Sequence, residues 1–142
     1  MIIKIINGPN LNLLGQREKK IYGQKSLEDL KNELNTLFEK ETLIFFQSNS
    51  EGEIIDAIQS CLVEEVDAIV INAGAYTHYS YAIRDAIKSV EKPTIEVHIS
   101  NVFAREQFRR ISVISDVCIG TISGLGFWSY ILAIEFFQKN KV

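Results

Sequence analysis

The sequence contains few of the residues on which disulfide-stapled proteins depend. Of its 142 residues only two are cysteine and two are proline. The two cysteines, Cys61 and Cys118, are too few for a disulfide framework and too far apart for a metal knuckle. Both lie in segments with apolar periodicity. We therefore expect reduced, buried thiols with a structural role.

Metal-binding patterns are equally sparse. The chain has two histidines, and it lacks the HxH, HExxH and paired-cysteine spacings that hold zinc. His78, His98, Glu96 and Asp85 are conceivable ligands, but no spacing favours them. We expect no metal site.

An excess of positive charge and a long hydrophobic run are also missing. Fifteen Lys and Arg against 18 Asp and Glu give a formal net charge of -3, which disfavours nucleic-acid binding. The N-terminal residues 1–6 lack the apolar core of a signal peptide. The apolar stretch Leu125–Phe137 is too short to span a bilayer, and Glu135 interrupts it. These features predict a cytoplasmic protein that binds neither membranes nor nucleic acids.

Short apolar runs alternate with helical patterns throughout the chain, which is long enough for one domain, residues 1–142. Ile, Val and Phe dominate the predicted strands, which are Ile2–Ile6, Leu43–Gln47, Ala68–Asn72, Thr94–His98 and Val117–Thr121. Helical spacing predicts a helix after each of the first three strands, a short polar helix over Arg105–Arg110 and a last helix from about Gly126 to Gln138. The first helix opens with Ser26-Leu27-Glu28-Asp29, which is close to a capping box. The alternation predicts an α/β fold, a flavodoxin-like three-layer sandwich with a five-stranded parallel sheet and helices on both faces.

Polar segments follow the predicted strands at one end of this sheet. In such folds, ligands bind outside the carboxyl ends of the strands. The segments there are rich in Asn, Gly and Ser, and both histidines belong to them: Asn7–Asn10, Ser48–Gly52, Asn72–Ala75 and His98–Asn101. The loops at the opposite end are typical of solvated turns. We expect the functional site at the carboxyl end.

Several chemistries do not fit these segments. Gly124-Leu125-Gly126 opens a helix but lacks the third glycine of a dinucleotide loop, and the first strand is not followed by the Ser and Thr residues of an FMN loop. A phospho-receiver would need an Asp where Asn72 stands. Ser100 lacks a nucleophile elbow, and the strand lysine Lys4 lies mid-strand, away from the edge where an imine would form. We expect no cofactor.

Proton transfer fits better, because Glu96 and His98 share one face of their strand. A carboxylate inside a buried strand is costly unless it is paired, and a Glu–His contact would fix the tautomer of an imidazole that acts as an acid. The alternative, a structural histidine at a strand end, remains open at this point.

The segment Gly15–Gly23 is a charged loop flanked by glycines, as a mobile lid would be. It contains Arg17 and Tyr22. Tyrosine is a usable base only where cationic neighbours favour its phenolate, and Arg17 could be such a neighbour. The spacing alone leaves a solvated connector as the alternative.

Long motifs in a fixed order resemble the type II 3-dehydroquinate dehydratases over essentially the whole chain. The matching stretches are Asn7–Gly15, Arg17 with Tyr22-Gly23, Gln47–Gly52, Asn72–His78, Arg84–Ile87, Glu96–Val102, and Ala104–Glu106 with Phe108-Arg109. The C-terminal part matches at Gly120, Gly124–Gly126, Tyr130 and Leu132-Ala133. The resemblance implies an imine-free hydro-lyase of the shikimate pathway, which converts 3-dehydroquinate to 3-dehydroshikimate by anti elimination through an enolate.

The same resemblance implies a role for individual side chains. Tyr22 would be the base, with Arg17 favouring its phenolate, and His98 would be the acid, held by Glu96. Asn10 would hold a water near the enolate oxygen. The implied substrate-binding residues are Asn72, His78, Asp85, Ile99, Ser100 and Arg109, with Asp85 offered to a neighbouring subunit of a trimer within a homododecamer.

A few residues depart from the family pattern. Ser129 stands where glycine is frequent, Phe103 where many members have histidine, and Tyr79 and Tyr81 where smaller residues are usual. None of these removes an implied catalytic group. Two other functions stay open on the sequence alone: a flavodoxin-like ligand-binding or signalling module without catalysis, and a non-catalytic assembly protein.

Overall fold

Parallel strands alternate with helices along the chain. The structure, a computed structural model, describes residues 1–16 and 18–141. The strands are β1 (Ile2–Asn7), β2 (Thr42–Gln47), β3 (Ala68–Asn72), β4 (Thr94–His98) and β5 (Gly120–Ser123). The α-helices are α1 (Lys19–Tyr22), α2 (Leu27–Leu37), α3 (Glu51–Gln59), α4 (Tyr81–Val90) and α5 (Trp128–Asn140). Single 3-10 turns cover Leu11–Leu13, Ser60–Leu62, Gly74–His78, Val102–Ala104, Gln107–Arg110 and Ser115–Val117.

The strands form a parallel sheet in the order β2-β1-β3-β4-β5. This is the order of the flavodoxin-like fold, so the predicted fold class is confirmed. All carboxyl ends of the strands lie at one edge of the sheet, and the polar segments that follow β1, β3 and β4 are brought together there.

Helices cover both faces of the sheet, and strand alternation separates two hydrophobic cores. In β3, Ala68 and Val70 pack on one face with α2 and α5, while Ile69 and Ile71 pack on the other with α3 and α4. Leu34 and Phe137 are among the fully buried side chains of the first core. Apolar residues on both sides of each central strand explain why these strands read as continuous hydrophobic runs.

The prediction for the last strand was wrong in position. Residues 115–117 form a turn in which Asp116 is bound by Arg84 at 2.6 Å, and the ladder begins where the Ile119 N–H donates to the Thr94 carbonyl. β5 therefore starts at Gly120 instead of Val117. Because β5 is an edge strand with exposed residues, it lacks the apolar run that marks a central strand.

The predicted helix over residues 105–110 was also wrong, and only Gln107–Arg110 make a single 3-10 turn. Arg105 itself is extended, with φ -113° and ψ -157°, and its guanidinium reaches the site described below. The last helix begins at Trp128, two residues later than expected.

The start of α2 matches the capping prediction. Ser26 Oγ accepts from the Asp29 N–H at 3.1 Å, and Asp29 Oδ2 accepts from the Ser26 N–H at 2.7 Å. These two bonds satisfy amide groups that a helix N-terminus leaves open. They fix the direction in which the chain leaves the segment that carries Tyr22.

Two further sequence features have a structural explanation. Cys61 is buried, as expected, and both cysteines are free thiols. The expectation of a buried Cys118 was wrong, since this residue is half-buried. Lys4, in the middle of β1, is buried with its ammonium on Glu64 at 2.6 Å and Ser60 at 2.7 Å. Within residues 1–16 and 18–141, no helix is long and apolar enough to cross a membrane.

Candidate active site

A cavity of about 300 Å³ opens at the carboxyl edge of the sheet. Its walls come from the loops after β1, β3 and β4 and from the segment around α1. The lining residues are Pro9, Asn10, Leu11, Leu14, Glu18, Tyr22, Asn72, Gly74, Ala75, His78, His98, Ile99, Ser100, Val102, Arg105, Glu106 and Arg109. The volume suits a small molecule, and the two histidines and two arginines provide cationic or hydrogen-bonding groups for an anionic one.

The loops after β1 and β3 touch closely at the floor of this cavity. The Gly8 N–H donates to the Asn72 carbonyl at 2.8 Å, and a Cβ at Gly8 would lie 2.5 Å from the Ala73 carbonyl oxygen. Only glycine fits this approach. Asn10 follows in the left-handed region at φ 68°, with its N–H on Asn49 Oδ1 at 3.0 Å. This geometry sets the Asn10 loop beside Asn72.

His98 and Glu96 are in contact, as their strand alternation predicted. His98 Nε2 donates to Glu96 Oε1 at 2.6 Å, and both side chains are buried. Since Nε2 is bound to Glu96, Nδ1 is the ring nitrogen available for proton exchange in the cavity. Glu96 does not line the cavity, and its second oxygen accepts from Ser112 Oγ at 2.8 Å.

A free thiol lies beside this pair. Burial, together with the charge of Glu96, raises the pKa of Cys118 to about 12. The thiol therefore stays protonated at neutral pH and offers no nucleophile here.

On another wall of the cavity, Tyr22 contacts Arg105. Arg105 Nη1 donates to the Tyr22 hydroxyl oxygen at 2.6 Å, and the guanidinium carbon lies 5.2 Å from the centre of the Tyr22 ring. The same nitrogen donates to Ser100 Oγ at 3.2 Å. The guanidinium is therefore held between two hydroxyl groups of the cavity, with a charge-assisted hydrogen bond to Tyr22.

Asn72 is oriented by a buried tyrosine. Its Nδ2 donates to the Tyr130 hydroxyl at 2.9 Å, and that hydroxyl donates to Asn7 Oδ1 at 2.6 Å. Asn72 Oδ1 accepts from the Gly74 N–H at 3.2 Å. Complete burial raises the pKa of Tyr130, so its hydroxyl remains a neutral donor and acceptor. The amide of Asn72 is therefore presented to the cavity in one orientation.

His78 lies across from His98, with nearly parallel rings 6.4 Å apart. Its Nδ1 donates to the Ile111 carbonyl at 2.7 Å. Burial lowers the pKa of His78 below its ordinary value, although the Ile111 carbonyl acts in the opposite direction. The neutral form is favoured, and its Nε2 is then a hydrogen-bond acceptor.

Arg109 and Ser100 border the part of the cavity next to β4. Glu106 accepts from Arg109 Nε, and this ion pair lowers the pKa of the Glu106 carboxyl. The terminal nitrogens of Arg109 can then bind an incoming anion. Ile99 and Ser100 continue directly from His98, so their position is fixed by the end of the strand.

Most of the predicted site residues meet in this cavity. Those that line it are Asn10, Tyr22, Asn72, His78, His98, Ile99, Ser100 and Arg109. Glu96 lies behind His98, and Arg17 falls outside the described residues. Asp85 does not line the cavity. It lies on α4, and its side chain is 71% exposed. Its Oδ1 forms an ion pair with Arg84 Nη1 at 3.0 Å.

Sequence reasoning missed the parts played by Arg105, Ser112 and Tyr130. Arg105 and Tyr130 belong to matched motifs, but nothing in their spacing pointed to Tyr22 or Asn72. Ser129, which stands where glycine is frequent in the family, has a structural contact here. Its buried hydroxyl donates to the His98 carbonyl at 2.9 Å. Among the described residues, no group of three His, Cys, Asp or Glu side chains could hold a metal ion.

The fold and the cavity define a class of protein, a flavodoxin-like α/β protein with proton-transfer groups at the carboxyl edge of its sheet. Comparison with known proteins narrows this class. The family model described as dehydroquinase class II matches residues 1–138. The chain belongs to this family of hydro-lyases.

Individual relatives agree with this assignment. The chain is similar to a 3-dehydroquinate dehydratase of Caldicellulosiruptor saccharolyticus, at 60% identity over 93% of this chain and 92% of the relative. It is also similar to the crystal structure of a type II dehydroquinase from Butyrivibrio crossotus, at TM-score 0.95 and 54% identity over 97% of each chain. A type II dehydroquinase from Propionibacterium acnes gives a TM-score of 0.93 at 39% identity, covering 98% of this chain and 97% of that one.

Proposed function

We propose that this chain, acting as one domain, dehydrates 3-dehydroquinate to 3-dehydroshikimate in the shikimate pathway. The proposed route is an anti elimination through an enolate, without an imine. The names of its relatives support the substrate. The observation that carries the mechanism is a cavity with Tyr22 bound to Arg105 on one wall and His98 bound to Glu96 on another.

Tyr22 is the proposed base. As phenolate it takes the proton from C2 of the substrate, and the electron pair moves to the C3 carbonyl to form the enolate. Arg105 supports this step by stabilising the phenolate at 2.6 Å. Arg17 has the same proposed role, from outside the described part of the chain.

His98 is the proposed acid. When the enolate collapses, the bond from C1 to its hydroxyl breaks, and the imidazolium gives that oxygen its proton so that it leaves as water. Hydroxide is a poor leaving group, so a positioned acid is worth about 10²–10⁴ in rate. Glu96 stabilises the imidazolium through Nε2.

The remaining cavity residues bind substrate and intermediate in this proposal. Asn10 holds a water near the enolate oxygen, where developing charge requires a preorganised donor. Asn72, His78 and Arg109 bind the substrate's hydroxyl and carboxylate groups. The segment Ile99-Ser100 grips the carboxylate with its backbone and hydroxyl.

An imine-free route fits the lining of the cavity. Within the described part of the chain, no lysine lines it. The strand lysine Lys4 is engaged by Ser60 and Glu64. A Schiff base with the substrate ketone would need an amine in the cavity.

We also propose that the chain assembles as trimers within a homododecamer in the cytoplasm. Asp85 is exposed on α4 and could reach the site of a neighbouring subunit. The free thiols of Cys61 and Cys118 suit a reducing compartment. Sedimentation of the purified protein measures the assembly directly.

The test is the rise in ultraviolet absorbance of the conjugated enone when purified protein meets 3-dehydroquinate without added metal. Tyr22→Phe removes the base and should abolish turnover. Tyr79→Phe is the matched control, because Tyr79 is exposed, precedes α4 and does not line the cavity. Its turnover should equal that of the unaltered protein.

Three results would overturn parts of the proposal. A protein that binds the substrate without forming the enone would be a binding module, and the function would be wrong. Loss of activity after borohydride treatment with substrate would show an imine, and a fully active Tyr22→Phe variant would remove Tyr22 as the base.

A further inference from the structure

Ser112 lies behind the His98–Glu96 pair, outside the cavity. It follows the Gln107–Arg110 turn and is half-buried. Its Oγ is 2.8 Å from Glu96 Oε2, while Glu96 Oε1 accepts from His98 Nε2 at 2.6 Å. The three side chains therefore form a chain of hydrogen bonds from the loop to the imidazole.

The direction of the Ser112 hydroxyl is fixed by its backbone neighbours. Ser112 Oγ accepts from the Ile114 N–H at 3.3 Å and from the Ser115 N–H at 3.1 Å. A hydroxyl has two acceptor sites and one proton. With both acceptor sites taken, the proton points to Glu96, so the hydroxyl is a preoriented donor to the carboxylate.

The carboxylate needs such a donor because Glu96 is only 1% exposed. A buried polar atom without a hydrogen-bond partner is costly, and Ser112 binds one carboxylate oxygen of Glu96 while His98 binds the other. Donation by Ser112 therefore holds the plane of the carboxylate. This plane in turn sets the orientation of the His98 ring.

We propose that Ser112 is a positioning residue for the acid step, acting on His98 through Glu96 without touching the substrate. The proposal rests on the proposed function, in which His98 protonates the departing hydroxyl. It predicts a defect in turnover and not in substrate binding. It also predicts a change in the His98 ring that can be observed without substrate.

The first experiment compares the steady-state kinetics of Ser112→Ala with those of the unaltered protein. We expect kcat to fall about ten- to hundredfold, the range for losing one hydrogen bond to a charged group, with KM unchanged. Ser112→Thr keeps the hydroxyl and should restore most of kcat. Ser115→Ala is the matched control, since it removes a hydroxyl from the same turn that bonds the Ser112 carbonyl and not Glu96.

The second experiment separates positioning from a general loosening of the turn. The chain has only two histidines, so the imidazole N–H signals can be assigned by NMR. In Ser112→Ala the His98 Nε2–H should exchange with water faster. The His78 Nδ1–H reports on the segment itself, because its acceptor is the carbonyl of Ile111, next to Ser112, and its signal should not change.

Each outcome decides the proposal. A kcat equal to that of the unaltered protein, or a fall accompanied by faster exchange at both histidines, overturns the positioning role. If the unaltered protein has no dehydratase activity, the proposed function fails. The exchange of the His98 N–H then still shows whether Ser112 holds the pair.

Discussion

Arg105 binds two hydroxyl groups in the cavity with one guanidinium nitrogen. Those groups are Tyr22 at 2.6 Å and Ser100 at 3.2 Å, and the guanidinium also faces the Tyr22 ring. These contacts hold the guanidinium beside the Tyr22 hydroxyl before substrate arrives. Arg105 itself lies outside any helix, in an extended stretch of backbone.

We expect Arg105→Met to lower kcat about ten- to hundredfold, because the phenolate loses a charge-assisted hydrogen bond. The kcat of Arg105→Lys should lie between those of Arg105→Met and the unaltered protein, since lysine keeps the charge and loses the planar, two-pronged guanidinium. The enone assay measures both. Arg110→Met removes an exposed arginine from the same segment and should leave kcat unchanged; equal losses in the two Met variants would argue against the contact.

Sequence alone could identify some of these residue contacts and not others. The Glu96–His98 contact follows from strand alternation, because residues two apart share a face. The Arg105–Tyr22 contact joins residues 83 apart, and the Ser112–Glu96 contact depends on a turn with no regular pattern. Such contacts are set by loop paths, which hydrophobic periodicity does not encode.

At the scale of elements, α2 starts from the capping box of Ser26 and Asp29 and leads directly away from the segment of Tyr22. Strands β1 to β4 were located to within one residue, since each has apolar residues that end at a polar one, Asn7, Gln47, Asn72 or His98. The edge strand β5 was displaced because Gly120 and Thr121 are exposed. The other edge strand, β2, was located because residues 43–46 form a continuous apolar run, which β5 lacks.

Ser26→Ala tests the contribution of this cap. We expect a loss of about 1 kcal/mol in the free energy of unfolding, because the Asp29 N–H loses its acceptor. Urea denaturation measures it. Ser89→Ala, which removes an exposed hydroxyl bonded only to the Asp85 carbonyl, should change stability by less than about 0.5 kcal/mol. A loss no larger than that of the control would show that the cap contributes little.

At the scale of the whole molecule, stability depends on pH through His78. Burial lowers its pKa in the folded state below the ordinary 6.5. Below pH 6.5 the unfolded chain therefore binds more protons than the folded chain, so stability is complete above that pH and declines as the pH falls. Carboxyls whose pKa is lowered by arginine, such as Asp116 beside Arg84, extend the decline to more acidic pH.

We expect the melting temperature of the unaltered protein to fall between pH 7 and pH 5. The melting temperature of the His78→Gln variant should fall less over the same interval. Differential scanning calorimetry at a series of pH values gives both curves. Identical slopes for the two proteins would mean that His78 does not contribute to the acid sensitivity.

The strand order β2-β1-β3-β4-β5 has a consequence for how the chain acquires its site during synthesis. Strand β1 lies inside the sheet and must wait for residues 42–47 and 68–72 before both its edges are paired. Tyr22 leaves the ribosome 83 residues before Arg105. Parallel sheets fold through such distant pairings, which are slow. A growing chain thus carries Tyr22 long before Arg105, the residue that binds its hydroxyl, and this wall of the site can be completed only after β4 has been synthesised.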